Sequence, residues 1–276
     1  MTLHKTIKLQ GDGVMLTAEA YGDPAAPPVL FFHGGGQSRS NWRGSARKVG
    51  DAGYYGITVD LRGHGDSEWA ADGDYLLDAY ARDVEQILTR FDQPVTLVGA
   101  SRGGQTALVA GSRHPDKVRL IMLADVAPLM NDTGVDNIRD FFKASANGFA
   151  NVDEAADALA VLGQPRLANA AGLAKAMRRD TSGRLFWKWD PKTTSPEFLH
   201  PMSEGHALLE AAARVKTPVV LVRAEHSNIV TDEGVARFRE LAPQLEVIEA
   251  KGVGHMFTSD RNDAFAETLL AHLAQA

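Results

Sequence analysis

Six apolar runs of strand length punctuate the 276-residue chain, and each closes on polar or turn-forming residues. They are VLFFH (29–33), YGITVD (55–60), VTLVGA (95–100), VRLIMLAD (118–125), VVLVRA (219–224) and LEVIEA (245–250). Continuous rather than alternating runs suit strands buried on both faces of a parallel sheet. Between them the pattern shifts to a helical period. Tyr80, Val84, Ile87, Leu88 and Phe91 form one stripe before the 95–100 run, and Gln105–Arg113 reads as a helix after it. Strands alternating with helices predict right-handed crossovers and a doubly wound sheet. The opening segments 5–10 and 14–21 predict an antiparallel hairpin around Gly11-Asp12-Gly13. The predicted fold class is α/β with a mostly parallel sheet.

The rhythm breaks between about Leu129 and Val215, where no convincing buried strand is found. Alanine-rich helical pattern dominates there, as in Val152–Leu162 and Gln164–Arg179. An insertion of this length predicts a helical cap over the strand ends, spanning 129–215, with 1–128 and 216–276 as the core. It carries Phe186, Trp187, Trp189 and Phe198, bulk that either lines a substrate pocket or packs the insertion onto the core.

Composition narrows the function. The chain is 44% hydrophobic and 23% charged, as ordinary globular domains are. A net charge of -6 without a long single-sign run disfavours nucleic-acid and anionic-membrane partners. With no cysteine, disulfides, thiol nucleophiles and thiolate metal sites are excluded together. The opening MTLHKTIKLQGDG lacks the apolar stretch of a signal peptide, and no run approaches a membrane span, which predicts a soluble cytoplasmic protein. Oligomeric state is left open.

The chemistry centres on Gly99-Ala100-Ser101-Arg102-Gly103, a G-x-S-x-G pattern at the end of one predicted strand and the start of a predicted helix. Such a turn raises the serine above the sheet edge, and glycines keep neighbouring side chains from clashing. The helix start adds backbone N–H groups and the positive end of its dipole. A serine hydroxyl needs a base, and the base needs a carboxylate to orient it. His255, in the glycine-rich stretch Gly252-Val253-Gly254-His255 after the last predicted strand, is the candidate base. It precedes a C-terminal helix predicted over 261–274. His4, His114 and His272 read as surface or structural residues.

With these residues in hand, the chain resembles the α/β-hydrolase fold family, closest to its esterase, lactonase and cofactor-free haloperoxidase-like group. The matching stretches are His33-Gly34-Gly35-Gly36, Asp60-Leu61-Arg62-Gly63-His64-Gly65-Asp66-Ser67, the Ser101 turn and the His255 segment. The resemblance implies an acid after the strand that follows the cap, but there the pattern sets Ser227 and Asn228, and neither is an anion. Some members place the acid one strand earlier, which falls on Asp125; Glu225 and then Asp232 are the alternatives. The resemblance also makes His33-Gly34-Gly35-Gly36 the oxyanion turn, with the N–H groups of Gly35 and Arg102 as donors and His33 and Gly34 near the substrate. Trp187 and Trp189 are the cap residues expected to touch it. The 60–67 stretch reads as turn architecture. His64 and Asp66 are too few for a zinc site, no H-E-x-x-H occurs, and Gly34-Gly35-Gly36 lacks the rest of a phosphate loop.

The expected activity is therefore hydrolysis of a carboxylic ester or lactone through an acyl-enzyme, with no cofactor or metal and a small acyl substrate as partner. The rivals are a cofactor-free oxygenase, a haloperoxidase-type perhydrolase, a carbon–carbon bond hydrolase and a ligand-binding protein without turnover, because fold does not fix reaction.

Overall fold

The unbroken apolar runs are explained by cover on both faces of one sheet. The computed structural model describes residues 4–131, 140–160, 170–195, 201–254 and 263–275. Its strands are β1 (His4–Gln10), β2 (Met15–Tyr21), β3 (Pro28–Phe32), β4 (Tyr55–Val59), β5 (Val95–Ala100), β6 (Val118–Ala124), β7 (Met177–Arg179), β8 (Leu185–Trp187), β9 (Val219–His226) and β10 (Leu245–Gly254). Eight of them form one sheet in the order β1-β2-β4-β3-β5-β6-β9-β10. The β1–β2 and β2–β4 pairs are antiparallel and the others parallel.

Successive strand side chains point to opposite faces. In β3, Leu30 and Phe32 enter one buried cluster, and Val29 and Phe31 enter another. The first cluster is closed by α2 (Leu77–Leu88), α3 (Arg102–Arg113), α6 (Pro201–Arg214) and α7 (Asp232–Leu241). The second is closed by α1 (Arg43–Asp51) and α8 (Asp263–Leu273). Every position of β3 and β5 is buried, which is why neither alternates in sequence. Strand order reverses about β3, whose neighbours are β4 and β5. In an open α/β sheet that reversal opens a crevice at the carboxyl ends of the strands. Among the described residues no helix is long and apolar enough to cross a membrane.

The segment between β6 and β9 departs from the helical expectation. It holds α4 (Val152–Ala160) and α5 (Ala170–Lys175), but also an antiparallel hairpin of β7 and β8. The helix expected to run to Arg179 stops at Lys175 in the described residues. Asp180 and Gly183, the latter at φ +87°, close a turn that sends the chain back. The period of two at Leu185, Trp187 and Trp189 was the strand signal, and all three are buried. They join Phe141, Phe142 and Phe149 in an aromatic cluster separate from the two sheet clusters. At the C-terminal edge, β10 runs through Gly252 to Gly254, beyond the predicted end at Ala250, with an irregularity after Ala250.

Candidate active site

Ser101 leaves the end of β5 at φ 47° and ψ −121° and caps α3. This conformation is costly for a residue with a Cβ. Among the described residues only Ser101 and Asp125 combine a side chain with positive φ. Such strain persists where packing over-determines it, and it concentrates at functional sites. The packing here is backbone against backbone. A Cβ on Gly99 would lie 2.3 Å from the Gly103 carbonyl oxygen, and one on Gly103 would lie 2.3 Å from that of Phe32. The glycines therefore let strand, turn and helix close around the serine. Ser101→Gly is expected to relieve the strain and raise stability by about 1 kcal/mol. That is a rise of about 2–4 °C in melting temperature by circular dichroism; an unchanged or lower Tm would mean that the turn is not strained.

The second wall of the site is the turn after β3. A Cβ on Gly34 would stand 3.3 Å from the Ser101 Cβ, so this turn lies directly against the serine. The Gly34 N–H donates to Gln37 Oε1 at 2.9 Å, and the Gly36 N–H donates to His64 Nε2 at 3.2 Å. Among the described residues the Gly35 N–H between them has no acceptor. Arg102, the first residue of α3, belongs to the helical turn whose N–H groups lack intrahelical acceptors.

Two buried histidines hold this turn. His33, expected near the substrate, is instead fully enclosed: its Nδ1–H donates to Gly34 O at 2.7 Å, and its Nε2 accepts from the Leu61 N–H at 3.0 Å. His64 donates through Nδ1 to Arg62 O at 2.9 Å. Both rings act as acceptors and are neutral; burial pushes His33 down to about 4 and His64 to about 3. The 60–67 stretch is thus turn architecture, but it supports the glycine turn after β3 directly. Between pH 6.5 and these values the unfolded chain binds protons that the native chain does not, so stability falls as pH falls. The loss expected by pH 5 is about 2 kcal/mol per histidine. Urea midpoints of the wild type and His64→Gln at pH 7 and pH 5 check this: the glutamine variant should lose less on acidification, and equal losses would refute it.

Asp125 follows β6 at φ 51°, and its carboxylate is fully buried. Oδ1 accepts from the Ala224 N–H at 3.0 Å and Oδ2 from the Ser227 hydroxyl at 2.7 Å. Ser227 has no freedom to turn away, because its oxygen accepts the N–H groups of Ile229 and Val230 at 3.2 and 2.9 Å. Its proton is directed at Asp125. Ser227, at the position where the resemblance would set an acid, therefore holds the Asp125 carboxylate from the neighbouring strand. Glu225 is exposed and accepts from the Gly252 N–H at 2.6 Å, while Asp232, almost fully exposed, pairs with Arg223. Gly254, the last residue of β10, pairs with His226 of β9. His255 itself lies outside the described residues.

The aromatic segment reaches this site. A Cβ on Gly36 would meet Phe142 at 3.0 Å and Trp189 at 3.2 Å. Trp189 also bridges to the backbone of His64, and its neighbours bond to the same loop: Gly65 N–H to Lys188 O and Asp190 N–H to Gly63 O, both at 2.7 Å. Trp189 thus lies against the glycine turn after β3. Trp187 is buried in the aromatic cluster and donates to Ser145 Oγ at 3.1 Å. From α6, Glu204 accepts from the Arg102 guanidinium at 2.7 Å, which ties the segment to the residue after the serine.

The model of the alpha/beta hydrolase fold family matches residues 27–261. The chain belongs to that family. Esterase Rv0045c of Mycobacterium tuberculosis is 27% identical over 252 residues, which is 88% of this chain and 81% of the esterase. A non-heme chloroperoxidase of Kitasatospora aureofaciens is 36% identical over 143 residues, about half of each chain. The solved structure of E-2-(acetamidomethylene)succinate hydrolase superposes with a TM-score of 0.85 over 99% of this chain and 100% of that one, at 22% identity, a likeness of fold. Relatives named esterase and hydrolase set this α/β-hydrolase among hydrolytic enzymes. Two of its site-supporting residues escaped sequence reasoning. Ser227 looked like a lost acid, and His64 like turn filler; their partners, Asp125 and Gly36, are distant in sequence.

Proposed function

We propose that this α/β-hydrolase cleaves carboxylic esters or lactones with Ser101 as nucleophile, His255 as general base and Asp125 as the orienting acid. The observation that carries this reading is the strained serine set against a glycine turn that has one N–H left over. Ser101 Oγ attacks the acyl carbon as His255 takes its proton. The carbonyl oxygen becomes an anion facing the N–H groups of Gly35 and Arg102, each such donor being worth about 2.7–4 kcal/mol in the transition state. His255 then protonates the departing alcohol, and a water that it activates releases the acid from Ser101. The buried Asp125 carboxylate, held by Ala224 and Ser227, stabilises the imidazolium that forms in both steps.

In this reading the segment from 129 to 215 is the cap. Phe142 and Trp189 give the acyl group an apolar wall beside the oxyanion turn, and the Arg102–Glu204 pair anchors the cap at the nucleophile. A small-molecule acyl ester is the partner. The test is a series of p-nitrophenyl esters from acetate to octanoate. Turnover with a chain-length optimum supports the reading, and none on any ester by folded protein refutes it. The chloroperoxidase relative favours one second reading, peracid formation by the same serine, for which halide oxidation with acetate and hydrogen peroxide is the assay.

A further inference from the structure

Several buried or half-buried arginines of this protein pair with carboxylates. Arg39 meets Glu19, Asp60 and Asp66; Arg62 meets Asp83; Arg102 meets Glu204. Arg178, on β7, has no such partner among the described residues. It shares that state with Arg119, which lies over the Tyr54 ring with its Nη2 buried and unpartnered, but Arg178 also lines a pocket. Its guanidinium carbon lies 5.1 Å over the centre of the Phe186 ring and 5.7 Å over that of Trp69. Its Nε is buried with no hydrogen-bond partner, and no carboxylate pairs with the side chain among the described residues. The two rings pack beside the guanidinium, and its buried Nε–H is left without an acceptor. A buried donor left in that state is costly, and it is relieved only by an acceptor lying in the guanidinium plane.

A pocket of about 70 Å³ lies against Arg178, walled by Phe142, Phe186, Trp187 and Trp189, with Ser145 and Thr194 at its sides. Two of those walls, Phe142 and Trp189, are the side chains that touch Gly36 of the oxyanion turn. The volume suits a few non-hydrogen atoms. Apolar walls beside a guanidinium whose Nε–H is unmet match an organic carboxylate, whose two oxygens can accept side by side from Nε–H and a terminal N–H.

We infer that this pocket binds the distal carboxylate of the substrate, so that the preferred esters carry an acid group at the far end of the acyl chain. The inference rests on the ester-hydrolase reading for its kinetic test but not for its binding test. The overall charge of -6 disfavours anions in general, so recognition falls to this local cation. Arg178 holds the substrate away from the reacting atoms and is a binding residue, not a catalytic one.

Mono-p-nitrophenyl glutarate, an ester with a free carboxylate, is compared with neutral p-nitrophenyl butyrate for wild type, Arg178→Gln and Arg178→Lys. The expected result is a loss of at least about tenfold in kcat/KM for the acidic ester with Arg178→Gln, a partial loss with Arg178→Lys, and butyrate rates within twofold. Equal losses on both esters, or no loss on the acidic one, would overturn the proposal. Binding is read separately from tryptophan fluorescence, because Trp187 and Trp189 line the pocket and Trp69 stacks on Arg178. Titration of Ser101→Ala with glutarate should give a saturable change that is absent in Ser101→Ala/Arg178→Gln and with neutral dimethyl glutarate. A change that survives the loss of Arg178, or no change at all, would also overturn it. If the wild type hydrolyses neither ester, the ester-hydrolase reading fails and the titration alone decides the pocket.

Discussion

Ser101→Ala is expected to lower kcat for p-nitrophenyl butyrate by at least about 10³-fold while the protein stays folded. The loss is large because, on the proposed mechanism, the hydroxyl forms the covalent intermediate and no other group in the turn can replace it. What remains is the contribution of the backbone donors and of binding, which survive removal of the nucleophile. Alanine keeps the Cβ and hence the strain at φ 47°, so the melting temperature should stay near that of the wild type. This separates the variant from Ser101→Gly, which should be equally inactive yet more stable. Turnover by Ser101→Ala within tenfold of the wild type would remove the serine from the mechanism. A glycine variant no more stable than the alanine variant would leave the serine in place but remove the strain.

Asp125→Asn is expected to cost about 10²–10⁴-fold in kcat, by loss of the charge that faces the imidazolium and of the preferred tautomer. It also costs stability. The carboxylate accepts from two donors, the Ala224 N–H and the Ser227 hydroxyl, and an amide cannot accept from both through its nitrogen end. One donor is left facing an N–H, at a cost of about 1–3 kcal/mol. Glu225→Gln, on an exposed side chain that holds Gly252, should keep kcat within a fewfold. Ser227→Ala tests the support: it removes one hydrogen bond to the acid and should lower kcat by about tenfold or less, with the carboxylate still present. If Glu225→Gln is inactive and Asp125→Asn is not, the acid has been assigned to the wrong strand.

The sheet was legible because burial on two faces writes itself into composition. Val29–Phe32 are apolar at every position and VTLVGA is interrupted only by Thr96, and helices such as 77–88 carry a stripe at period 3.6, so the α/β order follows from local pattern. The Ser101 turn was legible for a related reason. Gly99 and Gly103 stand where strand, turn and helix backbones meet within a Cβ's reach, and that demand falls on a short stretch. The β7–β8 hairpin was missed because three-residue strands carry too little period to outweigh an alanine-rich helical neighbourhood. Only the Leu185, Trp187, Trp189 alternation and the Gly183 turn spoke for it.

The sequence by itself determined the fold class, the strained serine turn and the candidate set of chemical groups, because each depends on residues adjacent along the chain. The tertiary structure decided how those groups are supported. Ser227 meets Asp125 across 102 positions, His64 meets Gly36 across 28, and Trp189 reaches the same turn from beyond the sheet. Such partnerships arise where separate strands end side by side at one edge of the sheet. Local propensity carries no record of them, since the free energy that selects them is released only when the sheet is assembled.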